Sequence, residues 1–196
     1  MTRSLLFVPG DSGRKFEHAA ASAADALILD LEDSVAPDRK PAARAEVRAM
    51  LERGAAAKQL WVRINALDGG DALADLAAVM PAAPYGIVLP KCAGRAGLLH
   101  LSHYLDAFEA AAGTTPGATR ILAIVTETAQ SLFGLHDYCD ATPRLWGLSW
   151  GAEDLAADVG ALRNRDAGRY TEPFRLARSL CLMSAAAAGV RAIDTV

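Results

Sequence analysis

The chain has 196 residues, of which 52% are hydrophobic and 22% charged, a composition typical of a globular domain with a sizeable core. Its formal net charge is −3 and its acidic and basic residues are interspersed, which argues against a nucleic-acid-binding surface. No apolar run approaches the roughly 20 residues of a membrane span, and the N-terminus lacks a signal-peptide pattern. The scattered cysteines, Cys92, Cys139 and Cys181, lack metal-like spacing, so we expect buried free thiols and a cytoplasmic location.

The first half of the chain alternates between short apolar runs and segments with helical spacing. Each run ends at a turn or a polar group and predicts a buried strand; the four runs cover residues 4–8, 26–30, 60–65 and 86–89. The segments between and after them predict helices that start at Asp11 or Ser12, run from Pro41 to a stop at Gly54, cover 71–80 and cover 94–112.

The second half continues this alternation. Strands are predicted at 121–125 and 145–149, a helix at 173–188 and a seventh strand at 190–196. Strands that alternate with helices predict a parallel sheet covered by helices.

Seven strand–helix units favour a (β/α)₈ TIM barrel over a doubly wound sheet. The run of residues 9–13, PGDSG, lacks the third glycine of a dinucleotide-binding fingerprint. Such barrels typically need about 250 residues, whereas this sequence stops in the seventh predicted strand. We therefore expect residues 1–196 to form a single barrel domain whose last strand–helix unit, its C-terminal part, is absent or disordered.

Two carboxylates, Glu127 and Asp154, follow the fifth and sixth predicted strands. Parallel strands carry their chemistry at their C-terminal ends, and Mg²⁺ usually takes one or two carboxylates and leaves its other positions to water and substrate. These residues could therefore bind a metal together. The alternative is that they only cap the following helices, because acidic residues favour helix N-termini.

Other polar residues lie at the same predicted strand ends: Asp30, Glu32, Asp33, Arg63, Asn65, Lys91, Ser149 and Gly151. Arginine and lysine among several carboxylates suit an anionic substrate held by arginine and by a metal. Lys91 could instead be the Schiff-base lysine of a metal-free aldolase, but that chemistry needs an apolar pocket and the acidic neighbourhood argues against it. His100 and His103 lack a third ligand nearby and are interpreted as structural.

Six ordered motifs carry a resemblance to a known family. They are RSLLFVPG at 3–10, LDLEDS at 29–34, VRIN at 62–65, VLPK at 88–91, TETA at 126–129 and GAEDL at 151–155. The chain thus resembles the citrate lyase β-subunit-like group of the HpcH/HpaI aldolase family. The resemblance implies a cytoplasmic, Mg²⁺-dependent (β/α)₈ carbon–carbon lyase, with Mn²⁺ as the alternative metal. Such an enzyme cleaves or forms a 3-hydroxyacyl-CoA thioester, for example citryl-CoA, malyl-CoA or citramalyl-CoA, and yields acetyl-CoA and a 2-oxo acid.

The same resemblance implies roles for individual residues. Glu127 and Asp154 would be the metal ligands and, with Arg63, the catalytic set. Arg63 would also bind a carboxylate of the oxo acid, and the backbone N–H groups of Gly151 and Ala152 would contact the same substrate. A weaker implication is that Arg14 and Lys15 would contact CoA phosphates. The acidic residues Asp30, Glu32 and Asp33 could simply cap or brace the loop after the second strand. Because Mg²⁺ rarely takes many protein carboxylates, we expect Glu32 and Asp33 instead to support the metal site without binding the metal.

Three other functions stay open at this stage. A thioesterase would hydrolyse malyl-CoA or citramalyl-CoA at the same site, and a citrate lyase complex subunit would take its substrate from an acyl carrier protein. A non-catalytic barrel that binds CoA thioesters is the third. The expected partners are a CoA thioester and a 2-oxo acid, and the resemblance implies a homo-oligomer, a trimer, without nucleic-acid or membrane partners.

Overall fold

The computed structural model describes residues 2–195, and the chain divides into two compact units. The first comprises Met1–Val88 and Tyr104–Arg120, and the second comprises Leu89–His103 and Ile121–Val196. Each unit contains parallel strands joined by helical connections. None of the described helices is long and apolar enough to cross a membrane.

The first unit is built on parallel strands that pair in chain order. These are β1 (Leu5–Pro9), β2 (Ala26–Asp30), β3 (Gln59–Arg63) and β4 (Gly86–Leu89). Strand β2 is buried along its whole length, as expected of a central strand in a parallel sheet. Gly86 faces Trp61 in the register, and a Cβ at position 86 would lie 2.3 Å from the Trp61 ring. Glycine is therefore required there for the indole to pack in the core.

The helices of the first half follow the predicted order. They are α1 (Gly13–Ala20), α2 (Lys40–Arg53) and α3 (Ala72–Val79), and α4 (Arg95–Ala112) comes next in the chain. Helix α2 ends at Gly54, whose φ of 72° is favourable for glycine, as predicted. Ser12 occupies the cap position of α1, at the predicted start of the helix, although its side chain makes no capping hydrogen bond.

The second unit contains β5 (Arg120–Ile124) and α5 (Ala129–Phe133), then β6 (Leu145–Ser149) and α6 (Ala152–Asp158). A short antiparallel hairpin, β7 (Arg165–Asp166) and β8 (Arg169–Tyr170), precedes α7 (Glu172–Ala187) and β9 (Arg191–Ile193). Strand β6 pairs in parallel with β5 on one side and with β9 on the other. The carboxyl ends of β5, β6 and β9 consequently lie at the same edge, which is where the functional residues of this unit are found.

Most of the sequence-based prediction of the fold is confirmed. All seven predicted strands form, and the fold is of the α/β class with parallel strands. The seventh, predicted over 190–196, covers only Arg191–Ile193, and Val196 lies outside the described residues. The hairpin interrupts the predicted strict alternation of strand and helix, and Cys139 is exposed although buried thiols were expected. A closed eight-stranded barrel with a missing last unit, and a single domain over residues 1–196, stay predictions.

A buried polar link fixes the loop that follows β3. Asp75 on α3 accepts hydrogen bonds from the backbone N–H and the side-chain amide of Asn65, at 2.8 and 2.7 Å. Its second oxygen accepts from Nε of Arg44 at 2.7 Å, and Lys40 contacts the amide oxygen of Asn65. Asn65, one of the polar residues noted at the strand ends, therefore holds a loop against α3.

Candidate active site

The two predicted metal ligands, Glu127 and Asp154, both contact Lys91 in the second unit. Glu127 follows β5 and accepts a hydrogen bond from the backbone N–H of Lys91, with 2.6 Å between the nitrogen and Oε2. Asp154 lies in the first turn of α6, and its Oδ2 is 3.3 Å from Nζ of Lys91. Glu127 is only 4% exposed. The strand ends thus bring both carboxylates to one residue.

The helix-capping alternative does not account for Glu127. The cap of α5 is Thr128, whose hydroxyl accepts a hydrogen bond from the Ser131 N–H at 3.1 Å in a capping box. The cap position of α6 is Gly151, so Asp154 is not a cap either, although its charge suits the first turn of a helix. The carboxylate of Glu127 is thereby left to a role other than capping.

The start of α6 lies directly against Glu127. The N–H of Gly151 donates to the hydroxyl of Thr126, at 3.2 Å. A Cβ at position 151 would lie 2.8 Å from Cγ of Glu127 and 3.1 Å from its Oε1. Only glycine allows the backbone of residue 151 to approach this side chain so closely, and this approach sets where the Glu127 carboxylate can lie.

Gly151→Ala is expected to displace the Glu127 carboxylate, because the added Cβ would lie 2.8 Å from Cγ of Glu127, closer than two such carbon atoms can approach without a shift. We expect Mg²⁺ affinity to fall on the order of 10- to 100-fold, the range typical of groups that orient metal ligands. Calorimetric titration with Mg²⁺ measures it. Gly70→Ala, where a Cβ meets nothing within 4 Å, is the matched control. Equal Mg²⁺ affinity in wild type and Gly151→Ala would contradict this account of the site.

The donor set of this cluster fits a hard divalent cation. Two carboxylates supply oxygen ligands, and Mg²⁺ takes its other ligands from water and substrate. Within residues 2–195, no group of three or more His, Cys, Asp and Glu side chains is placed to hold a metal. The ammonium group of Lys91 lies 3.3 Å from Oδ2 of Asp154, so a positive charge is already held beside this carboxylate. Glu127 and Asp154 are therefore suited to hold Mg²⁺ or Mn²⁺.

Lys91 lies in surroundings that oppose a Schiff-base role. A Schiff-base lysine needs an apolar pocket or another cation beside it. The Nζ of Lys91 instead lies next to the carboxylate of Asp154. The backbone of Lys91 adopts a left-handed conformation with φ of 50°, and its N–H in this conformation donates to Glu127.

In the first unit, Arg63 at the end of β3 makes a buried two-point ion pair with Asp30 at the end of β2. Nε and Nη2 of Arg63 lie 2.7 Å from Oδ1 and Oδ2 of Asp30. Nη1 lies 3.1 Å from Glu32 and 3.5 Å from Asp33, and the guanidinium stacks over the Phe7 ring at 4.9 Å. The arginine predicted to bind substrate is thus surrounded by three carboxylates.

Asp30 also braces the loop that follows β2. Its two oxygens accept hydrogen bonds from the backbone N–H groups of Glu32 and Ser34, at 3.0 and 3.1 Å. Burial raises the pKa of Asp30, but the hydrogen bonds and charge of Arg63 outweigh it, so the net pKa lies below the usual value of 3.8. Burial alone would lower the pKa of Arg63, but the neighbouring carboxylates of Asp30, Glu32 and Asp33 raise it by more. The net pKa of Arg63 lies above its usual value, so this group is a permanent cation.

The ion pairs of Arg63 show which of its nitrogen atoms a substrate carboxylate could reach. The Nε–Nη2 edge is occupied by Asp30, so a substrate carboxylate would meet the other side of the guanidinium, near Glu32 and Asp33. Both of these residues contact Arg63, which agrees with an indirect role. The assignment of Arg63 to the oxo acid stays a prediction.

The remaining predicted contacts also stay predictions. Arg14 and Lys15 are exposed in the first turn of α1. Ala152 is the buried first residue of α6, and the N–H of Gly151 is donated to Thr126. A substrate that binds this N–H would have to replace the Thr126 hydroxyl.

One polar residue of this edge was missed by sequence reasoning. Asp194 follows β9 and accepts hydrogen bonds from the indole N–H of Trp150 and from Arg178, at 2.8 and 2.9 Å. The sequence did contain a pattern that could have identified Asp194. Asp194 lies near the C-terminal end of a predicted strand, and Glu127 and Asp154 follow two others.

Comparison with known proteins agrees with these motifs. A family model described as HpcH/HpaI aldolase/citrate lyase matches residues 3–196. A citrate lyase subunit beta-like protein of Mycobacterium tuberculosis is 36% identical over 97% of the chain, and a (3S)-malyl-CoA thioesterase of Cereibacter sphaeroides is 37% identical over 99%. The chain spans only 63% and 62% of the lengths of these two relatives.

Solved structures give the same result. The citrate lyase beta subunit of M. tuberculosis with oxaloacetate and magnesium is 36% identical and matches with a TM-score of 0.81, over 97% of this chain and 76% of that one. Protein CitE of the same organism, with magnesium, acetoacetate and coenzyme A, is 35% identical with a TM-score of 0.81, over 98% of this chain and 65% of that one. The chain belongs to the HpcH/HpaI aldolase/citrate lyase family.

Proposed function

We propose that this chain carries the metal site of a Mg²⁺-dependent lyase that cleaves or forms a 3-hydroxyacyl-CoA thioester. The observation that carries the proposal is the pair of carboxylates, Glu127 and Asp154, held through Lys91 at the ends of neighbouring strands. A helix-capping role does not explain Glu127, and a metal site does. The magnesium and coenzyme A complexes of the M. tuberculosis relative support the choice of metal and of thiol carrier.

Each residue has a distinct task in the proposed reaction. Glu127 and Asp154 hold the cation, and the backbone N–H of Lys91 and the close approach of Gly151 orient Glu127. When bound, Mg²⁺ supplies a Lewis acid for the oxygens of the 2-oxo acid. Arg63 binds a substrate carboxylate on the side of its guanidinium that Asp30 does not occupy, where Nη1 also contacts Glu32 and Asp33, and its positive charge stabilises negative charge that develops nearby.

In the cleavage direction, the C3 hydroxyl of the substrate loses its proton and becomes a carbonyl. The bond from C3 to the α-carbon of the thioester breaks, and the α-carbon keeps the electron pair and then takes a proton. The products are acetyl-CoA and a 2-oxo acid. Citryl-CoA, malyl-CoA and citramalyl-CoA all contain this arrangement, and the thiol carrier is either CoA or an acyl carrier protein.

A thioesterase is the second candidate, because the 37% identical relative is a (3S)-malyl-CoA thioesterase. The same carboxylate pair would then position water for attack on the thioester carbonyl. The carbon skeleton would remain intact, and free CoA with the hydroxy acid would be the products.

An assay with citryl-, malyl- and citramalyl-CoA that follows free thiol and 2-oxo acid separately distinguishes these functions. Oxo acid without thiol indicates the lyase, and thiol without oxo acid indicates the thioesterase. We expect either product to disappear with EDTA and to return with Mg²⁺. Turnover that resists EDTA would contradict the metal site. Binding of all three thioesters without any product would instead identify a non-catalytic binding protein.

A cytoplasmic location and a homotrimer complete the proposal. Both come from the family resemblance, and mass determination by light scattering in solution tests the second.

A further inference from the structure

Asp194 joins three elements of the second unit. Its Oδ1 accepts hydrogen bonds from the indole N–H of Trp150 at 2.8 Å, from Nε of Arg178 on α7 at 2.9 Å and from the backbone N–H of Thr195 at 3.0 Å. The second amine of Arg178 contacts Oδ2. Asp194 is an exposed residue, and the hydrogen bond from Arg178 lowers its pKa by more than its partial desolvation raises it, so the acceptor is a carboxylate under working conditions.

Trp150 is the residue through which this carboxylate reaches the candidate site. It is 3% exposed and follows β6 immediately, and its ring packs edge-on against Tyr170 of the hairpin at 4.9 Å. A second hydrogen bond lies one residue earlier, where the hydroxyl of Ser149 donates to the carbonyl of Ile193 at 3.1 Å. The end of β6 is therefore tied at two consecutive residues to the end of β9.

The next residue in the chain is Gly151, whose backbone must approach Glu127 closely, and α6 with Asp154 begins there. Residue 150 therefore controls the direction in which the chain enters α6. A rotation of the Trp150 backbone would move Gly151 against or away from Glu127 and would swing Asp154 relative to it. Two ligands of one cation tolerate little change in their separation, because Mg²⁺ demands near-ideal geometry.

We propose that Asp194 is a positioning residue that, through the indole N–H of Trp150, sets the separation of Glu127 and Asp154 at the metal site. The inference rests on the proposed function. Asp194 acts by fixing the turn between β6 and α6. Arg178 keeps the carboxylate oriented from α7.

The test is calorimetric Mg²⁺ titration of three variants, with the melting temperature of each measured in parallel. Trp150→Phe keeps the ring and removes the N–H, Asp194→Ala removes the acceptor, and Asp194→Asn keeps an acceptor oxygen. We expect the first two to weaken Mg²⁺ binding on the order of 10- to 100-fold, as for other groups that orient ligands. Asp194→Asn is expected to recover part of the lost affinity.

The double variant tests whether Trp150→Phe and Asp194→Ala weaken Mg²⁺ binding through the same hydrogen bond or through two independent effects. Trp150→Phe combined with Asp194→Ala breaks the same hydrogen bond as either change alone, so its Mg²⁺ affinity should match that of the weaker single variant. Glu172→Gln breaks an exposed ion pair with Arg175 on the same helix and serves as the matched control, with unchanged affinity.

Two results would overturn the inference. One is a lower melting temperature with unchanged Mg²⁺ affinity, which would make Asp194 a purely structural brace. The other is an Asp194→Asn variant that binds Mg²⁺ as weakly as Asp194→Ala. That result would show that the hydrogen bond from the Trp150 indole does not carry the effect. Absence of Mg²⁺ binding to wild type would instead overturn the proposed function itself.

Discussion

Glu127→Gln is expected to abolish Mg²⁺-dependent turnover and to weaken Mg²⁺ binding on the order of 100-fold or more, because a charged ligand is lost. Glutamine has nearly the same shape and keeps an oxygen that can accept the N–H of Lys91, so the local structure is expected to survive. Asp154→Asn is expected to behave in the same way. Turnover at several Mg²⁺ concentrations and calorimetric titration measure the two effects.

Glu153→Gln is the matched control for both changes. Glu153 lies beside Asp154 in the first turn of α6, but it faces solvent and contacts Asn164. The control should bind Mg²⁺ like wild type, which would exclude a general effect of charge at this helix end. Wild-type turnover in Glu127→Gln would show that this carboxylate holds no catalytic metal.

Arg63→Met is expected to lower the free energy of unfolding by about 3–5 kcal/mol, the usual loss when one partner of a buried ion pair is removed. The Asp30 side chain is 2% exposed, and without Arg63 its charge would remain buried with only two backbone N–H groups beside it. Arg63→Lys keeps the charge but not the two parallel N–H groups, and should recover only part of the stability and little of the activity. Chemical denaturation measures the change.

The pH dependence of this difference identifies Asp30 as the cause. The folded-state pKa of Asp30 in wild type is below 3.8, so its stabilising ionised form is present above that value and lost as pH falls further. In Arg63→Met, burial is expected to raise the pKa of Asp30, because the arginine that lowers this pKa in wild type is absent. The gap in stability between variant and wild type should therefore begin to narrow as pH falls through the raised pKa of Asp30 in the variant, and should continue to narrow towards the lowered pKa of Asp30 in wild type.

Arg48→Met supplies the control for Arg63→Met. Arg48 pairs with Glu52 on the exposed face of α2, and such pairs contribute less than about 1 kcal/mol. A gap for Arg63→Met that stays constant between pH 7 and pH 3 would assign the loss to packing of the side chain rather than to the buried charge.

The order of strands and the main carboxylates could be predicted from sequence because both depend on local patterns. Strands β2 and β6 are short apolar runs that end abruptly, and the period of the pattern decides the class of element. A polar residue that ends such a run must lie at the carboxyl edge of a parallel sheet. Glu127 and Asp154 could be assigned to that edge on this basis alone.

Partners across the chain could not be predicted in this way. The two-point pair of Arg63 with Asp30 joins residues 33 positions apart, and the contact of Asp194 with Trp150 joins residues 44 apart. Nothing in the local pattern states which carboxylate an arginine will meet. The hairpin at 165–170 was missed because its strands have two residues each and are exposed, so they have no apolar periodicity.

At Lys91 the main chain and the side chain act on different carboxylates. The amide holds Glu127 and depends only on the left-handed backbone, which glycine and asparagine adopt readily, whereas the ammonium reaches Asp154. The backbone contact with Glu127 and the side-chain charge near Asp154 can therefore be changed independently at Lys91. Replacement by glycine would remove a positive charge from the cluster and leave the hold on Glu127 intact. The charge beside the carboxylate pair could therefore be changed while the backbone contact with Glu127 is kept.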